Sequence, residues 1–164
     1  MGRGSAGLIA AGALAALAAC SGQPAAEAPE QAESAPTHHR ESGLALVPVT
    51  VSTGETSHAF TAELADTSEL QAKGLMFRTS LGPDEAMLFP NEKPTARSFW
   101  MKNTPIPLDI IFVGLDGRIT NIAAMAEPYS EEQIYSVGSA SAVLEIAGGR
   151  AAELGIEPGD EVTW

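Results

Sequence analysis

Phe99-Trp100-Met101-Lys102-Asn103-Thr104-Pro105-Ile106-Pro107-Leu108-Asp109-Ile110-Ile111-Phe112-Val113 sets two apolar segments on either side of a polar loop bracketed by prolines. Ser98 to Met101 and Leu108 to Val113 read as the central strands. The second is nearly continuous in apolar character, as expected of a strand covered on both faces. Asp116-Gly117 is a tight-turn dipeptide that folds Ile110 to Val113 back onto Arg118 to Ala124 as a hairpin.

Upstream, Val47 to Ser52 is β-branched and ends near Gly54, and His58 to Ala65 alternates through Phe60, Ala62 and Leu64, so both read as strands. Asp66 or Thr67 caps a short helix running to Lys73, which Gly74 stops. Leu81-Gly82-Pro83-Asp84 is turn chemistry, and Ala86 to Phe89 is a short strand ended by Pro90. Downstream, Ala142 to Ile146 reads as a strand and Arg150 to Leu154 as one helical turn after Gly148-Gly149. Pro158-Gly159-Asp160 turns the chain into a last strand. Seven or eight short strands with two brief helices predict an α+β domain, predominantly β, with a curled antiparallel or mixed, barrel-like sheet.

The chain has 164 residues, 45% hydrophobic and 18% charged, which suits one modest domain with attachments. Nine Lys and Arg stand against 21 Asp and Glu, a formal charge of −12, so no nucleic-acid partner is expected. One cysteine excludes an intramolecular disulfide and any multi-cysteine metal site. Residues 1–19 read as a signal peptide: Arg3 is followed by the apolar run Ala6 to Leu17, too short to span a bilayer. Leu17-Ala18-Ala19-Cys20 resembles the lipobox of bacterial lipoproteins. On that resemblance Cys20 is lipidated and becomes the mature amino terminus. Ser21 after it resembles the pattern for outer-membrane delivery, so the expected location is the cell envelope, lipid-anchored and facing the periplasm.

Residues 20–43 carry the lipidated cysteine and then a Pro-, Ala- and Glu-rich stretch without apolar periodicity, expected to be a disordered linker spanning roughly 25 to 30 Å. The globular domain is expected over residues 44–164, with seven basic and seventeen acidic side chains and a formal charge of −10.

Several blocks in order carry a family resemblance. They are Gly74-Leu75-Met76-Phe77-Arg78, then Met87-Leu88-Phe89, then Phe99 to Thr104 with Pro107-Leu108-Asp109 and Phe112, and later Leu144-Glu145, Gly149, Leu154-Gly155-Ile156 and Gly159-Asp160. From about Phe60 to Val162 the chain resembles the bacterial and archaeal family called domain of unknown function 192. It departs from the family pattern at Ala86, Pro105 and Ala147-Gly148. The resemblance implies a compact β-rich domain, often secreted or membrane-anchored, and no established activity.

For chemistry, the candidate ligand-binding residues are Arg78, Trp100, Asn103, Thr104 and Asp109. Two readings stand. In one, Asn103 and Thr104 bond the backbone of the turn and Asp109 accepts from backbone amides or an Arg, because an unpaired buried carboxylate is costly. In the other, Arg78, Asn103 and Asp109 converge beside Trp100 and recognise a small polar ligand. Met76, Met87, Met101 and Met125 raise a Cu(I) site, but dense Met or His tracts are absent, and methionine commonly fills gaps in a core. His38-His39 lacks a third ligand, and His58 lies on a predicted strand. No metal or cofactor is therefore assigned.

Hydrolase and phosphate-loop motifs are missing, and no spacing brings Asp109 and Glu145 together as an acid-base pair, so no enzyme class is assigned. Three functions follow. The first is a lipid-anchored envelope module binding a small polar ligand or an envelope protein. The others are an envelope hydrolase using Asp109 as acid or base, and a structural or assembly lipoprotein.

Overall fold

The structure is a computed structural model and describes residues 37–164. The expected signal peptide, Cys20 and the first part of the linker lie outside the described residues. The elements are β1 (Leu46–Thr53), β2 (Thr56–Leu64), α1 (Ser68–Lys73), β3 (Glu85–Phe99), β4 (Leu108–Val113), β5 (Ile119–Ala126), β6 (Ile134–Ala147), α2 (Arg150–Leu154) and β7 (Glu161–Thr163). They form one mixed sheet in the order β5-β4-β6-β3-β2-β1-β7, in which only β2 and β3 run parallel.

The sheet curls until its edges meet at one end. Arg118 bridges Glu161, Ile119 N–H donates to Asp160 O at 2.9 Å, and Val162 N–H donates to Gly117 O at 2.8 Å. Edge strands that pair with each other present fewer free backbone groups to other chains. The curled, β-dominated architecture with two short helices is the one expected from the sequence.

Two strands are longer than expected. β3 runs on through Pro90 and Pro94 to Phe99, and β6 begins at Ile134 rather than Ala142. Proline cannot donate to a ladder, and the β3–β6 register slips between Pro90 and Thr95, where no such donation is needed. There Asn91 Nδ2 donates to Ala140 O at 3.0 Å in place of a ladder bond. Met101 lies beyond the strand and is buried among core residues.

Residues 37–43 belong to the folded body. Leu46 N–H donates to Thr37 O, His39 N–H to Leu44 O and Gly43 N–H to His39 O, all within 2.9 Å, and His38 bridges Ala45. Ordered structure thus reaches back at least to Thr37, inside the stretch read as linker.

Alternation along the strands makes two apolar layers. Val49, Val51, Phe60, Leu88, Ile111, Val113, Leu144 and Ile146 fill the inside of the curl, with Ala151 and Ile156 contributed at and after α2. Met87, Phe89, Ile110, Phe112 and Val143 face outward and are covered by Leu70, Leu75, Leu81, Phe99, Met101 and Ile106. This explains why every residue of β4 is buried. No described helix is long and apolar enough to cross a membrane.

Candidate functional site

The outward layer is not wholly apolar. Glu63 registers with Met87, Met87 with Glu145 and Ile110 with Glu145, so one cross-strand row on β2, β3, β6 and β4 carries two carboxylates. Their backbones stand two strand spacings apart, roughly 9.5 Å. Both residues are buried, Glu63 at 2% and Glu145 at 4% exposure. Their surroundings differ completely.

Glu63 is saturated. Arg78 reaches it with both terminal nitrogens, NH1 to Oε1 at 2.9 Å and NH2 to Oε2 at 3.0 Å, and the Ser42 hydroxyl donates to Oε2. The His39 ring stands 3.6 Å from Oε2, and Glu41 lies 3.8 Å from Arg78 Nε. The chain delivers Arg78 through local backbone chemistry. Thr67 Oγ1 caps α1 by accepting from Leu70 N–H, and Gly74 ends the helix with φ 46°. Phe77 then turns with φ 65°, its N–H held by Asn103 O at 2.7 Å. A cavity of about 270 Å³ lies beside this corner, lined among others by Ser42, Lys73, Met76, Phe77, Arg78 and Met87.

Glu145 has no hydrogen-bond donor among the described residues. Desolvation pushes its carboxyl up to about 8, so the group is mostly protonated at neutral pH. It is not sealed, because no solvent-sealed side-chain nitrogen or oxygen among the described residues lacks a partner. Its opening is a narrow cavity of about 30 Å³ whose walls include Gln71, Met76, Phe89, Phe99, Trp100, Lys102 and Thr104. That volume holds one or two water-sized groups. Lys73, Gly74 and Met76 border both this cavity and the larger one.

The expected site residues divide three ways. Trp100 and Thr104 line the same cavity as Glu145. Arg78 is committed to Glu63, and Asn103, at φ 55°, sends its amide 3.8 Å to Met76 Sδ. Asp109 lies elsewhere. It pairs across strands with Ile146, on the inward face, is 0% exposed and accepts from Met125 N–H, Gly149 N–H and Ala151 N–H at 2.8 to 2.9 Å.

The convergence of Arg78, Asn103 and Asp109 beside Trp100 is therefore corrected. Asp109 anchors the start of α2 and the bulge of β5, and, closed to solvent with both oxygens held by backbone amides, it lacks the access a hydrolase acid or base needs. Asp109 and Glu145 lie on opposite faces of the sheet and form no pair. The methionines also scatter: Met87 and Met101 are core, while Met125 is 56% exposed. His58 bonds Thr53 on the β1–β2 hairpin.

Glu145, weighed from the sequence only as a partner for Asp109 and left off the candidate ligand-binding residues, is the buried carboxyl that faces this cavity. Its signal was a single charge inside the run Ala142 to Ile146. Backbone strain marks the same region. Among the described residues the non-glycine positions with left-handed φ are Phe77, Asn103, Met125 and Tyr129. Phe77 N–H bonds Asn103 O, Tyr129 N–H bonds Thr104 O, and Met125 N–H bonds Asp109 beyond the same loop. Such conformations cost free energy and gather at sites where geometry matters more than stability.

The crystal structure of a protein of unknown function from Novosphingobium aromaticivorans DSM 12444 is similar at 57% identity and TM-score 0.78, covering 80% of this chain and 94% of that one. A protein from Sinorhizobium meliloti 1021, given as a candidate transcription regulator, is similar at 37% identity and TM-score 0.71, covering 73% of this chain and 94% of that one. No curated protein matches. The family model DUF192, Uncharacterized ACR, matches residues 49–164, which span both carboxylates, the α1 corner and the proline loop, and the chain therefore belongs to the DUF192 family.

Proposed function

We propose that this protein is an exported, lipid-anchored binding module of the cell envelope that takes one slim polar end of a small ligand into the cavity over Glu145. The observation that carries the binding role is the Glu145 carboxyl itself: buried on the interior strand β6, without a donor among the described residues, and lining a cavity walled by Phe89, Phe99, Trp100 and Thr104. A buried polar group left unpaired is costly, and a site that keeps one gains when a ligand satisfies it. The envelope location is supported by Arg3, the apolar run Ala6 to Leu17 and the Leu17 to Cys20 box.

A hydrolase working through Asp109 is not supported, because three amides occupy that carboxylate. The description of the Sinorhizobium protein is not carried over as a function either, since a formal −10 over residues 44–164 opposes contact with DNA phosphates.

Two measurements test the proposal. Ligand-observed NMR of the mature chain against small polar molecules should find binders that Glu145→Gln and Trp100→Ala both abolish. Binders confined to other surfaces, or none at all, would contradict it. Membrane fractionation should release the protein when Cys20→Ala is introduced, and a wild type that is soluble with a free thiol would overturn the anchor.

A further inference from the structure

Resting on that reading of the cavity, we infer that the group it accepts is a primary ammonium at the end of an unbranched alkyl chain. The buried polar side chains lining the cavity, Glu145 and Thr104, offer acceptors. Glu145 offers a carboxyl. Thr104 Oγ1 spends its proton on Lys102 O at 3.3 Å and keeps its lone pairs, and Met76 contributes a thioether. Both ends of the Gln71 amide are engaged, Nε2 with Ala65 O and Pro90 O and Oε1 with Arg97. The remaining donors belong to side chains nearer the surface: the Lys73 and Lys102 ammonium groups and the indole N–H of Trp100, which is 39% exposed.

Acceptors at the buried part of the cavity suit a group that only donates. An ammonium carries three N–H donors and no acceptor. Its width fits a space for one or two water-sized groups, whereas a ring or a phosphate does not. Its methylenes would lie along Met76, Phe89 and Phe99. The aromatic wall already attracts such a group: Lys102 Nζ sits 4.9 Å from the Trp100 ring centroid. An anionic end group would meet Glu145 with no cation in hydrogen-bonding contact with that carboxyl. The excess of ten acidic charges over residues 44–164 favours approach of cations at low salt.

Proton coupling makes the inference testable without a variant. The charged groups lining the cavity with Glu145 are Lys73 and Lys102, and its cross-strand neighbours Met87 and Ile110 do not titrate. An ammonium binds the carboxylate form, so each bound amine displaces the Glu145 proton. With the free carboxyl near 8, affinity should rise roughly fiftyfold between pH 6 and pH 8.

The experiment titrates the mature chain with butylammonium and, separately, with Nα-acetyl-lysine methylamide, acetate and acetamide, by calorimetry and NMR at pH 6, 7 and 8. The expected result is amine binding that strengthens with pH, falls at least tenfold in Glu145→Gln and tightens in Lys102→Met. Preference for butylammonium assigns a free amine, and preference for the lysine derivative assigns a peptide side chain. Acetate or acetamide binding that weakens as pH rises would overturn the ammonium class and leave the binding role standing. No perturbation of Glu145 by any probe, together with a failed screen of small polar molecules, would overturn both.

Discussion

Replacing Asp109 with Asn changes one oxygen to an NH2 in a site closed to solvent. The aspartate uses Oδ1 for Met125 N–H at 2.8 Å and Gly149 N–H at 2.9 Å, and Oδ2 for Ala151 N–H at 2.8 Å. The best placement of an asparagine keeps its oxygen on the first two donors and turns its NH2 toward Ala151 N–H. One charge-assisted hydrogen bond is lost, the other two are weakened, and two donors face each other with no acceptor. Together these cost about 2–4 kcal/mol, a fall in Tm on the order of 10 °C for a domain of this size. Asp109→Ala, which strands all three amides, should cost more. Urea unfolding followed by tryptophan fluorescence measures both changes, read at constant m so that a shift in midpoint is a shift in stability. An Asp109→Asn protein within about 0.5 kcal/mol of wild type, with binding or turnover abolished, would refute the anchoring role.

Three further outcomes follow from the outward row. Burial of Glu145 raises its folded pKa to about 8 from an ordinary carboxylate value near 4.5, so the unfolded chain binds fewer protons across that window; wild-type stability should fall between about pH 4.5 and pH 8, and Glu145→Gln should flatten the slope, a check made by urea melts at pH 4, 6 and 8. Arg78→Met leaves the Glu63 carboxylate buried without its main partner and should destabilise by about 3–5 kcal/mol, whereas Glu63→Met combined with Arg78→Met should recover most of the loss in the same melts. Trp100→Ala, at a half-exposed position, should weaken butylammonium binding by calorimetry with a stability change of about 1 kcal/mol or less.

The strands and the sheet class were legible because alternation and apolar runs report burial directly: β4, read as covered on both faces, is buried throughout. Prolines misled. Pro90 read as the end of a strand, yet it and Pro94 sit where the β3–β6 register slips and no N–H is required. The site was harder, because strand parity gives alternation but not which side faces in. Only the β4–β6 register, Asp109 against Ile146 and Ile110 against Glu145, sends one carboxylate into three amides and the other into an open cavity. Trp100 and Thr104 could be singled out from an awkward polar loop. Their partner could not, because Glu145 lies forty-one residues from Thr104 and is brought to it by sheet pairing. The Glu63–Arg78 pair is similarly a product of the turn at Phe77 rather than of any spacing.

The most direct test is the protonation of Glu145 itself in the folded protein, followed by the chemical shift of its side-chain carboxyl carbon as pH is raised from 3 to 10, with Glu145→Gln used to assign the signal. A midpoint near 8, moving downward when butylammonium is added, is the predicted result. A midpoint between 4 and 5 that no amine shifts would show a carboxylate already satisfied by the protein, and the cavity would then hold nothing in need of a ligand.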